Sequence, residues 1–292
     1  MDVVTIAQRP PPLRRPALVA AFKGWNDAGE AASGAASVLR REAGATAFAG
    51  IEPDEFFDFQ ATRPAVRIVG GGVRHIDWPQ NRFSWGTLPG ADGHVVVLEG
   101  VEPNLRWRAF ARGVVDLATG LGVRVVVTLG ALQVDVPHTR PVPVTGSASA
   151  PDLAVLGLGA STYEGPTGIT GVLHHACAEA GLQAVSLWAG VPHYLAGAPY
   201  LTGALALAER AGRLLGARLR LEELARDAAA QRDDIDRLVG EDDERAEYVA
   251  ELERRDAATA EGDAVDGLPA AAVSGEELAE EFERYLRDRG HE

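Results

Sequence analysis

The sequence predicts an α/β protein in which helices cover both faces of a mainly parallel sheet. Short apolar segments alternate with segments that carry helix signals between Ala17 and Gly216. Several of these segments are apolar at every position, which is typical of strands that are covered on both faces. A chain of 292 residues, of which 46% are apolar, can also bury the core that such a three-layer domain needs.

The predicted elements alternate along this domain, with strands at 17–22, 66–69, 95–99, 123–129 and 184–188, and helices at 27–41, 104–120 and 167–180. Asp27 and Glu30 have the spacing of a capping box at the start of the first helix. Gly181 stands where a glycine is expected to end the third helix. The first helix consists almost entirely of small residues, so a neighbouring helix or a second subunit can approach it closely, and the sequence leaves both alternatives open.

Beyond Gly216 the alternation of strands and helices ends. Apolar and small residues recur there at steps of three and four, which indicates one helix with a single seam, formed by Leu221, Leu224, Ala228, Gln231, Ile235 and Leu238. An acidic run at 241–244 breaks this helix, and a second helix follows. The predicted domains are a flexible proline-rich arm (1–16), an α/β sandwich (17–217), a helical hairpin (218–255), a flexible linker (256–273) and an acidic amphipathic helix (274–292), with a capping box at Ser274 and Glu277.

The net charge of −14 comes from the C-terminal part of the chain, because the residues before Leu221 are close to neutral. Such a charge argues against a broad nucleic-acid surface, which is normally basic. The apolar runs are much shorter than a membrane span, and the six apolar residues that follow Arg14 and Arg15 are too few for a signal peptide. The lone Cys177 fits a reducing compartment, so we expect a cytoplasmic protein.

Metal and cofactor sites are not expected. His174 and His175 are adjacent and would point about 100° apart on a helix, so they cannot share an ion as an i, i+4 pair can. A structural zinc site is not expected with a single cysteine, and Cys177 is interpreted as a small core residue. The glycine string at 157–162 lacks the third glycine of a dinucleotide fingerprint, and the chain contains no P-loop motif.

Polar, glycine-rich segments follow four of the predicted strands, and a further polar loop opens the third helix. If these strands are parallel, their carboxyl ends meet at one edge of the sheet, where ligand sites of open α/β sheets lie. The candidate cleft consists of Lys23, Trp25, Asn26, Asp27, Glu99, Glu102, Asn104, His138, Arg140, Glu164, Thr167 and His193. The alternative is that these side chains hold loops together, with Arg140 pairing to Glu164 or Asp135, and Glu99 capping a nearby backbone.

Five strings occur in order along the chain: FKGWNDAG (22–29), LEGVEPN (98–104), VPHTRP (136–141), YEGPTGI (163–169) and SLWAGVPHY (186–194). Together they resemble the actinobacterial branch of the proteasome assembly chaperone 2 family, over about residues 17–252. The resemblance implies a phosphorylase/hydrolase-like α/β/α sandwich with a helical C-terminal extension, assembled as a homo-oligomer. It implies no established enzymatic reaction, and archaeal and eukaryotic relatives act as chaperones of proteasome assembly.

One departure from the family concerns the C-terminus. Chaperones that dock into proteasome pockets typically end in a hydrophobic residue, a tyrosine and any third residue, whereas this chain ends in Gly290-His291-Glu292. Docking through the extreme C-terminus is therefore not expected.

Two functions remain open at this stage. The first is a non-catalytic, oligomeric scaffold that binds protein partners in proteasome-linked assembly, for which we assume a trimer. The second is a hydrolase, phosphorylase or ligand-binding protein that takes a nucleoside, a phosphate or a sugar phosphate at the candidate cleft. The sequence does not decide whether the protein is an enzyme.

Overall fold

The computed structural model describes residues 3–70, 72–149 and 163–262. The strands are β1 (Val4–Ile6), β2 (Ala17–Lys23), β3 (Thr46–Ile51), β4 (Ala65–Val69), β5 (Val73–Asp77), β6 (Asn81–Gly86), β7 (Val95–Val101), β8 (Val125–Val134), β9 (Val144–Ala148) and β10 (Gln183–Pro192). The helices are α1 (Ala31–Glu42), α2 (Trp107–Gly120), α3 (Ile169–Glu179), α4 (Leu201–Leu214), α5 (Glu222–Gly240) and α6 (Asp243–Gly262). Within these described ranges, no helix is both long and apolar enough to cross a bilayer.

The main sheet has eight strands in the order β1-β3-β6-β7-β2-β8-β10-β9. Its four adjacent strands β7, β2, β8 and β10 are parallel, as predicted. The outer strands β1, β3, β6 and β9 pair antiparallel to their neighbours, so the sheet is mixed rather than mainly parallel. Our prediction missed these outer strands because they are short or interrupted by polar residues and glycine, and so lack the continuous apolar run of a buried parallel strand.

The predicted strand at 66–69 exists, but it lies outside the main sheet. It forms part of β4, which pairs with β5 in a separate two-stranded antiparallel hairpin. Val66 is 61% exposed and Ile68 is 71% exposed. The expectation that this strand belongs to the main sheet was therefore wrong, because a short, mostly apolar segment can equally form an exposed hairpin strand.

Two hydrophobic cores confirm the three-layer architecture. One core packs α1 and α4 on one face of the sheet, and the other packs α2 and α3 on the opposite face. The strands between them are buried on both faces, as the uniform burial of β2 shows. Gly181 follows α3 with a φ of +78°, in agreement with its predicted role at the helix end.

The small residues of α1 pack against α4 of the same chain. A Cβ on Gly34 would lie 3.1 Å from Ala204 Cβ, and a Cβ on Gly203 would lie 3.0 Å from Ala31 Cβ. The sequence left open whether a neighbouring helix or a second subunit approaches α1, and the structure shows a neighbouring helix. The close approach is intramolecular and gives no argument for a second subunit.

The N-terminal arm is not wholly flexible. Residues Val4–Ile6 form β1, which pairs with β3 at the edge of the sheet. Val3 lies against α2, where a Cβ on Gly113 would come within 2.5 Å of Val3 Cβ. Arg15 also makes an ion pair with Asp92, with an N–O distance of 2.6 Å. Edge pairing and this packing order part of the arm despite its many prolines.

The C-terminal extension is the helical hairpin α5–α6. The expected linker at 256–273 begins inside α6, because this helix continues to Gly262. Alanine-rich sequence favours helix even where it has little apolar surface to bury, which explains the difference. The rest of the linker, the helix expected at 274–292 and the glycine string at 157–162 lie outside the described residues.

Candidate functional site

The carboxyl ends of β2, β7, β8 and β10 lie side by side, so the loops that carry most of the candidate residues do meet at one edge of the sheet. Their side chains, however, do not converge on a single cleft. One group gathers around Glu102, at the end of β7. A second group gathers around His138 and His193, where the α5–α6 hairpin contacts the loops after β8 and β10. Glu99 and Asn104 belong to neither group.

Glu102 connects three loops at this edge. Its Oε1 accepts a hydrogen bond from the Ile169 N–H at 2.8 Å, and its Oε2 accepts one from the Trp25 N–H at 3.3 Å. Its own N–H donates to the Lys23 carbonyl at 2.8 Å. A carboxylate at the start of α3 also interacts favourably with the helix dipole. The Ile169 N–H at the opening of α3 is therefore satisfied by a side chain of the protein itself.

Two glycines make this arrangement possible. A Cβ on Gly24 would lie 2.9 Å from Glu102 Cβ, and the φ of Gly24 is +141°, a value that other residues rarely adopt. A Cβ on Gly168 would lie 2.0 Å from Asn26 Oδ1 and 2.6 Å from Glu102 Oε1. Both glycines allow backbone and side chains to pack closely, so the residues around Glu102 form a tightly packed contact between loops.

Asp27 caps α1, but the predicted capping box is incomplete. Asp27 Oδ1 accepts hydrogen bonds from the N–H groups of Ala32 and Ser33, at 2.8 and 3.0 Å. Burial raises the pKa of Asp27, while its hydrogen bonds with Ser33 and Ala32 act in the opposite direction. The Asp27 N–H donates to the Gly24 carbonyl at 3.1 Å rather than to the carboxylate of Glu30, although the Glu30 N–H donates to the Asp27 carbonyl at 3.0 Å. The Glu30 carboxylate instead pairs with Lys23 Nζ at 2.6 Å.

Asn26 is buried between β2 and β8. Its carbonyl accepts a hydrogen bond from the Ala131 N–H at 2.8 Å. The side-chain Oδ1 is buried and makes no hydrogen bond to the described residues. Trp25, the next residue towards the N-terminus, is 54% exposed. The loop after β2 thus turns one polar side chain inward and one aromatic side chain outward.

The remaining candidates near this edge lie apart from Glu102. Glu99 pairs with Arg40 of α1 at 2.7 Å, so the expectation that it caps a backbone was wrong. Burial raises the pKa of Glu99, and Arg40 opposes that rise. Asn104 Oδ1 accepts hydrogen bonds, both at 3.0 Å, from the Asp58 N–H and from the Thr62 hydroxyl. Glu164 and Thr167 are exposed.

The second group contains two histidines in similar settings. His138 is 3% exposed, with Nδ1 2.7 Å from the Tyr194 hydroxyl and Nε2 2.9 Å from Asp236 Oδ1. His193 Nδ1 lies 3.1 Å from Asp135 Oδ1, and its Nε2 lies 2.9 Å from the Tyr248 hydroxyl. Each imidazole therefore lies between a carboxylate and a tyrosine hydroxyl. Burial raises the pKa of Tyr194 to about 12, so this phenol is neutral at physiological pH.

Further contacts join the same loop to α6. Arg140 lies 3.5 Å from Asp256, so neither of its expected partners, Glu164 or Asp135, is the residue that it pairs with. The hydroxyl of Thr139 donates a hydrogen bond to Glu253. These pairs could not be predicted from the sequence, since both acidic partners belong to an extension rich in acidic residues.

Tyr194, Asp236 and Tyr248 were missed as members of the site. Tyr194 could have been included, because it directly follows His193 after a buried strand. Asp236 lies on α5 and Tyr248 lies on α6. Nothing in the sequence distinguishes them from the many other polar residues of these helices. Their importance depends on how the hairpin folds back on the domain, which is a tertiary property.

Most polar side chains of these two groups bind other residues of the protein. No group of His, Cys, Asp and Glu side chains that could hold a metal ion occurs within residues 3–70, 72–149 and 163–262. Burial raises the pKa of the Cys177 thiol to about 12, which makes this core cysteine a poor nucleophile. A surface concavity of about 250 Å³ lies along β3 and β6, and its lining, which includes Glu52, Gln80 and Arg82, contains no candidate residue.

Comparisons with known proteins find a matching family and similar solved structures. The model of the PAC2 family matches residues 21–239. The crystal structure of a PAC2 family protein from Streptomyces avermitilis is 48% identical, covers 80% of this chain and 99% of its own, and has a TM-score of 0.74. A Mycobacterium tuberculosis proteasome-assembly chaperone homologue is 44% identical, with the same coverage and a TM-score of 0.73.

A more distant likeness concerns the fold alone. PbaB of Pyrococcus furiosus, described as an archaeal proteasome activator, is 18% identical, covers 82% of this chain and 99% of its own, and has a TM-score of 0.65. A search of curated proteins found no match.

Proposed function

The chain belongs to the PAC2 family, and we propose that it is a proteasome-linked, assembly-chaperone-like protein that works by binding protein partners. The observation that carries this proposal is the likeness to the mycobacterial proteasome-assembly chaperone homologue, which extends over nearly all of that protein. The archaeal relative described as a proteasome activator shares the fold, which is consistent with this proposal.

The geometry of the strand ends supports a binding protein over a small-molecule enzyme. Glu102 uses both carboxylate oxygens to hold the loop after β2 and the start of α3. His138 uses both ring nitrogens within the fold, towards Tyr194 and Asp236, and His193 uses Nε2 towards Tyr248. General acid–base catalysis needs such groups within reach of a substrate proton, and here they face other parts of the protein.

We further propose that the protein is a homo-oligomer assembled through the β4–β5 hairpin. Val66 and Ile76 are cross-strand partners, and Ile68 lies two residues beyond Val66, so all three side chains point to one face. They are 61%, 47% and 71% exposed. We call this surface the apolar hairpin face. This face also includes Arg74, the cross-strand partner of Ile68, while the opposite face carries the ion pair of Arg67 with Asp77 and the exposed Val69 and Val73.

A second copy of the chain is the occupant that best fits the apolar hairpin face. An isolated two-stranded hairpin is marginally stable in water, so packing against another surface stabilises it. Exposed apolar patches on soluble proteins mark interaction sites, and symmetric assembly covers the same patch on every copy. A trimer remains our working assumption for the number of subunits.

Binding of proteasome subunits tests the functional proposal directly. The purified protein is mixed with purified, unassembled proteasome α-subunits and β-subunits from the same source, and the mixtures are analysed by size-exclusion chromatography with light scattering. We expect a discrete complex with at least one subunit type. The proposal is wrong if the folded protein elutes unchanged with both subunit types and with the assembled proteasome.

A thermal-shift screen separates this proposal from a small-molecule function. The screen uses nucleosides, inorganic phosphate and sugar phosphates, and we expect no shift with any of them. A ligand present at 100 times its dissociation constant adds about 2.7 kcal/mol to the free energy of unfolding, which a melting curve detects readily. A reproducible, saturable shift with one of these compounds would point to a ligand site and against a purely protein-binding role.

A further inference from the structure

The α5–α6 hairpin is anchored to the α/β body by little buried apolar surface. Ala228 is the buried residue of α5, and Val249 and Leu252 are buried in α6. The shorter helix α1 has six buried residues: Ala31, Ala32, Ala35, Ala36, Val38 and Leu39. Elements with few buried apolar contacts open more readily than the core, because less hydrophobic free energy is lost when they separate.

Side-chain hydrogen bonds supply much of the remaining attachment. Asp236 of α5 binds His138, and Tyr248 of α6 binds His193. Gln231 of α5 accepts a hydrogen bond from the Leu201 N–H at 2.9 Å and donates one to the Pro199 carbonyl at 2.7 Å. Such bonds are exchanged for bonds to water when the hairpin separates, so each contributes only a modest net free energy.

The two histidine contacts are not independent of each other. Tyr194 binds His138 through its hydroxyl, and its ring lies 5.5 Å from the His193 ring and 6.2 Å from the Tyr248 ring. The rings of His193 and Tyr248 are 5.6 Å apart. Tyr194 therefore belongs to both contacts, one to α5 and one to α6. We call His138, His193, Tyr194, Asp236 and Tyr248 the latch residues.

We propose that the α5–α6 hairpin is a latch that opens as one unit while the α/β sheet stays folded, and that the latch residues set how often it opens. Opening uncovers the rings of Tyr194 and His193 at the end of β10. Aromatic residues are enriched in protein interfaces, so the open state offers a surface that the closed state hides. This inference concerns a motion of the chain and does not depend on a proteasome partner.

Native-state amide hydrogen exchange of the full chain, at constant pH, measures this opening. We expect the amides of α5 and α6 to exchange at a common rate that is much faster than the rate in β2 and β8. The latch is excluded if α5 and α6 are as protected as these strands, because the hairpin then opens only when the whole protein unfolds.

Two variants test the role of the latch residues. Tyr248→Phe keeps the ring and removes the hydroxyl that binds His193, and we expect exchange in α5 and α6 to become about five times faster. Asp236→Asn alters a contact of α5. We expect it to accelerate amide exchange in α6 as well as in α5, because the hairpin opens as a unit. Protection of β2 and β8 remains unchanged in both variants and reports that the body is folded.

Glu251→Gln is the matched control. Glu251 lies on α6, like Tyr248, but it pairs with Arg254 and Arg255 of the same helix, at 2.7 and 3.0 Å. We expect its effect on exchange in α5 to be negligible. Equal effects of Glu251→Gln and Tyr248→Phe, or an Asp236→Asn effect confined to α5, would contradict the proposal.

Discussion

Glu102 shows how one side chain can join segments that are far apart in the sequence. It lies at the end of β7 and binds the backbone of Trp25 and Ile169, which belong to two other loops. The sequence placed Glu102 at the strand ends, because it follows an apolar strand. The sequence could not show that its partners are backbone N–H groups, since these depend on how the loops fold against each other.

Replacing Glu102 by alanine removes both of these hydrogen bonds. Bonds to charged groups contribute about 1.5–3 kcal/mol each, so we expect Glu102→Ala to lower the free energy of unfolding by at least about 1.5 kcal/mol. Urea denaturation measures the change. The control is Glu164→Ala, an exposed residue of a neighbouring loop, for which we expect a change within about 0.5 kcal/mol. Equal effects of the two variants would contradict the role of Glu102.

Cys177 gives a second prediction for a single residue. Its side chain is buried, and burial raises the pKa of its thiol to about 12. The thiolate is the reactive form of cysteine, so at pH 8 the native protein should react with iodoacetamide far more slowly than the protein in denaturant. Mass spectrometry of the labelled peptide measures both rates. Rapid labelling of the native protein would contradict the core assignment.

Among the elements, the seam between α1 and α4 depends on small residues. Gly34 lies against Ala204, with room for no more than a tight Cβ contact at 3.1 Å. A larger side chain must push the helices apart, and overpacking of this kind costs about 1–3 kcal/mol. We therefore expect Gly34→Leu to lower the melting temperature measurably.

Gly120→Leu is the control for this prediction. Gly120 is the last residue of α2, and a Cβ placed on it meets nothing within 4 Å. We expect little loss of stability, because no neighbour has to move. If Gly34→Leu lowers the melting temperature no more than Gly120→Leu does, the packing of α1 on α4 is looser than described.

The sequence predicted the central elements better than the outer ones. The strands β2, β7, β8 and β10 were recognisable because continuous apolar runs mark strands covered on both faces. The outer strands β3 and β6 lack that pattern, and β4, which is mostly apolar but interrupted by Arg67, is exposed. Burial of an apolar segment depends on its neighbours in the fold, so the sequence alone cannot separate these cases.

At the scale of the whole molecule, the apolar hairpin face predicts self-association. A charge in this apolar contact should be incompatible with its burial, so we expect Val66→Asp, whose cross-strand partner is Ile76, to reduce the oligomer to monomers. Light scattering after size-exclusion chromatography measures the mass. The control is Leu105→Asp, since Leu105 is 48% exposed but lies outside the hairpin. An unchanged mass for Val66→Asp would exclude this face as the interface.

The distribution of charge also belongs to this scale. The net charge of −14 arises in the C-terminal part of the chain, so the α/β body is nearly neutral. Its polar residues at the strand ends are used for contacts within the fold. Among the described residues, the surfaces that we propose for partner binding are the apolar hairpin face, the outward-facing Trp25 and the acidic hairpin α5–α6.

We propose that this protein assists proteasome assembly, and the rate of assembly tests this role most directly. Unassembled α-subunits and β-subunits from the same source are mixed with and without the protein, and the appearance of peptidase activity is followed over time. We predict faster assembly in its presence, at concentrations where the subunits alone assemble slowly. Identical time courses at every concentration of the folded protein would contradict the claim.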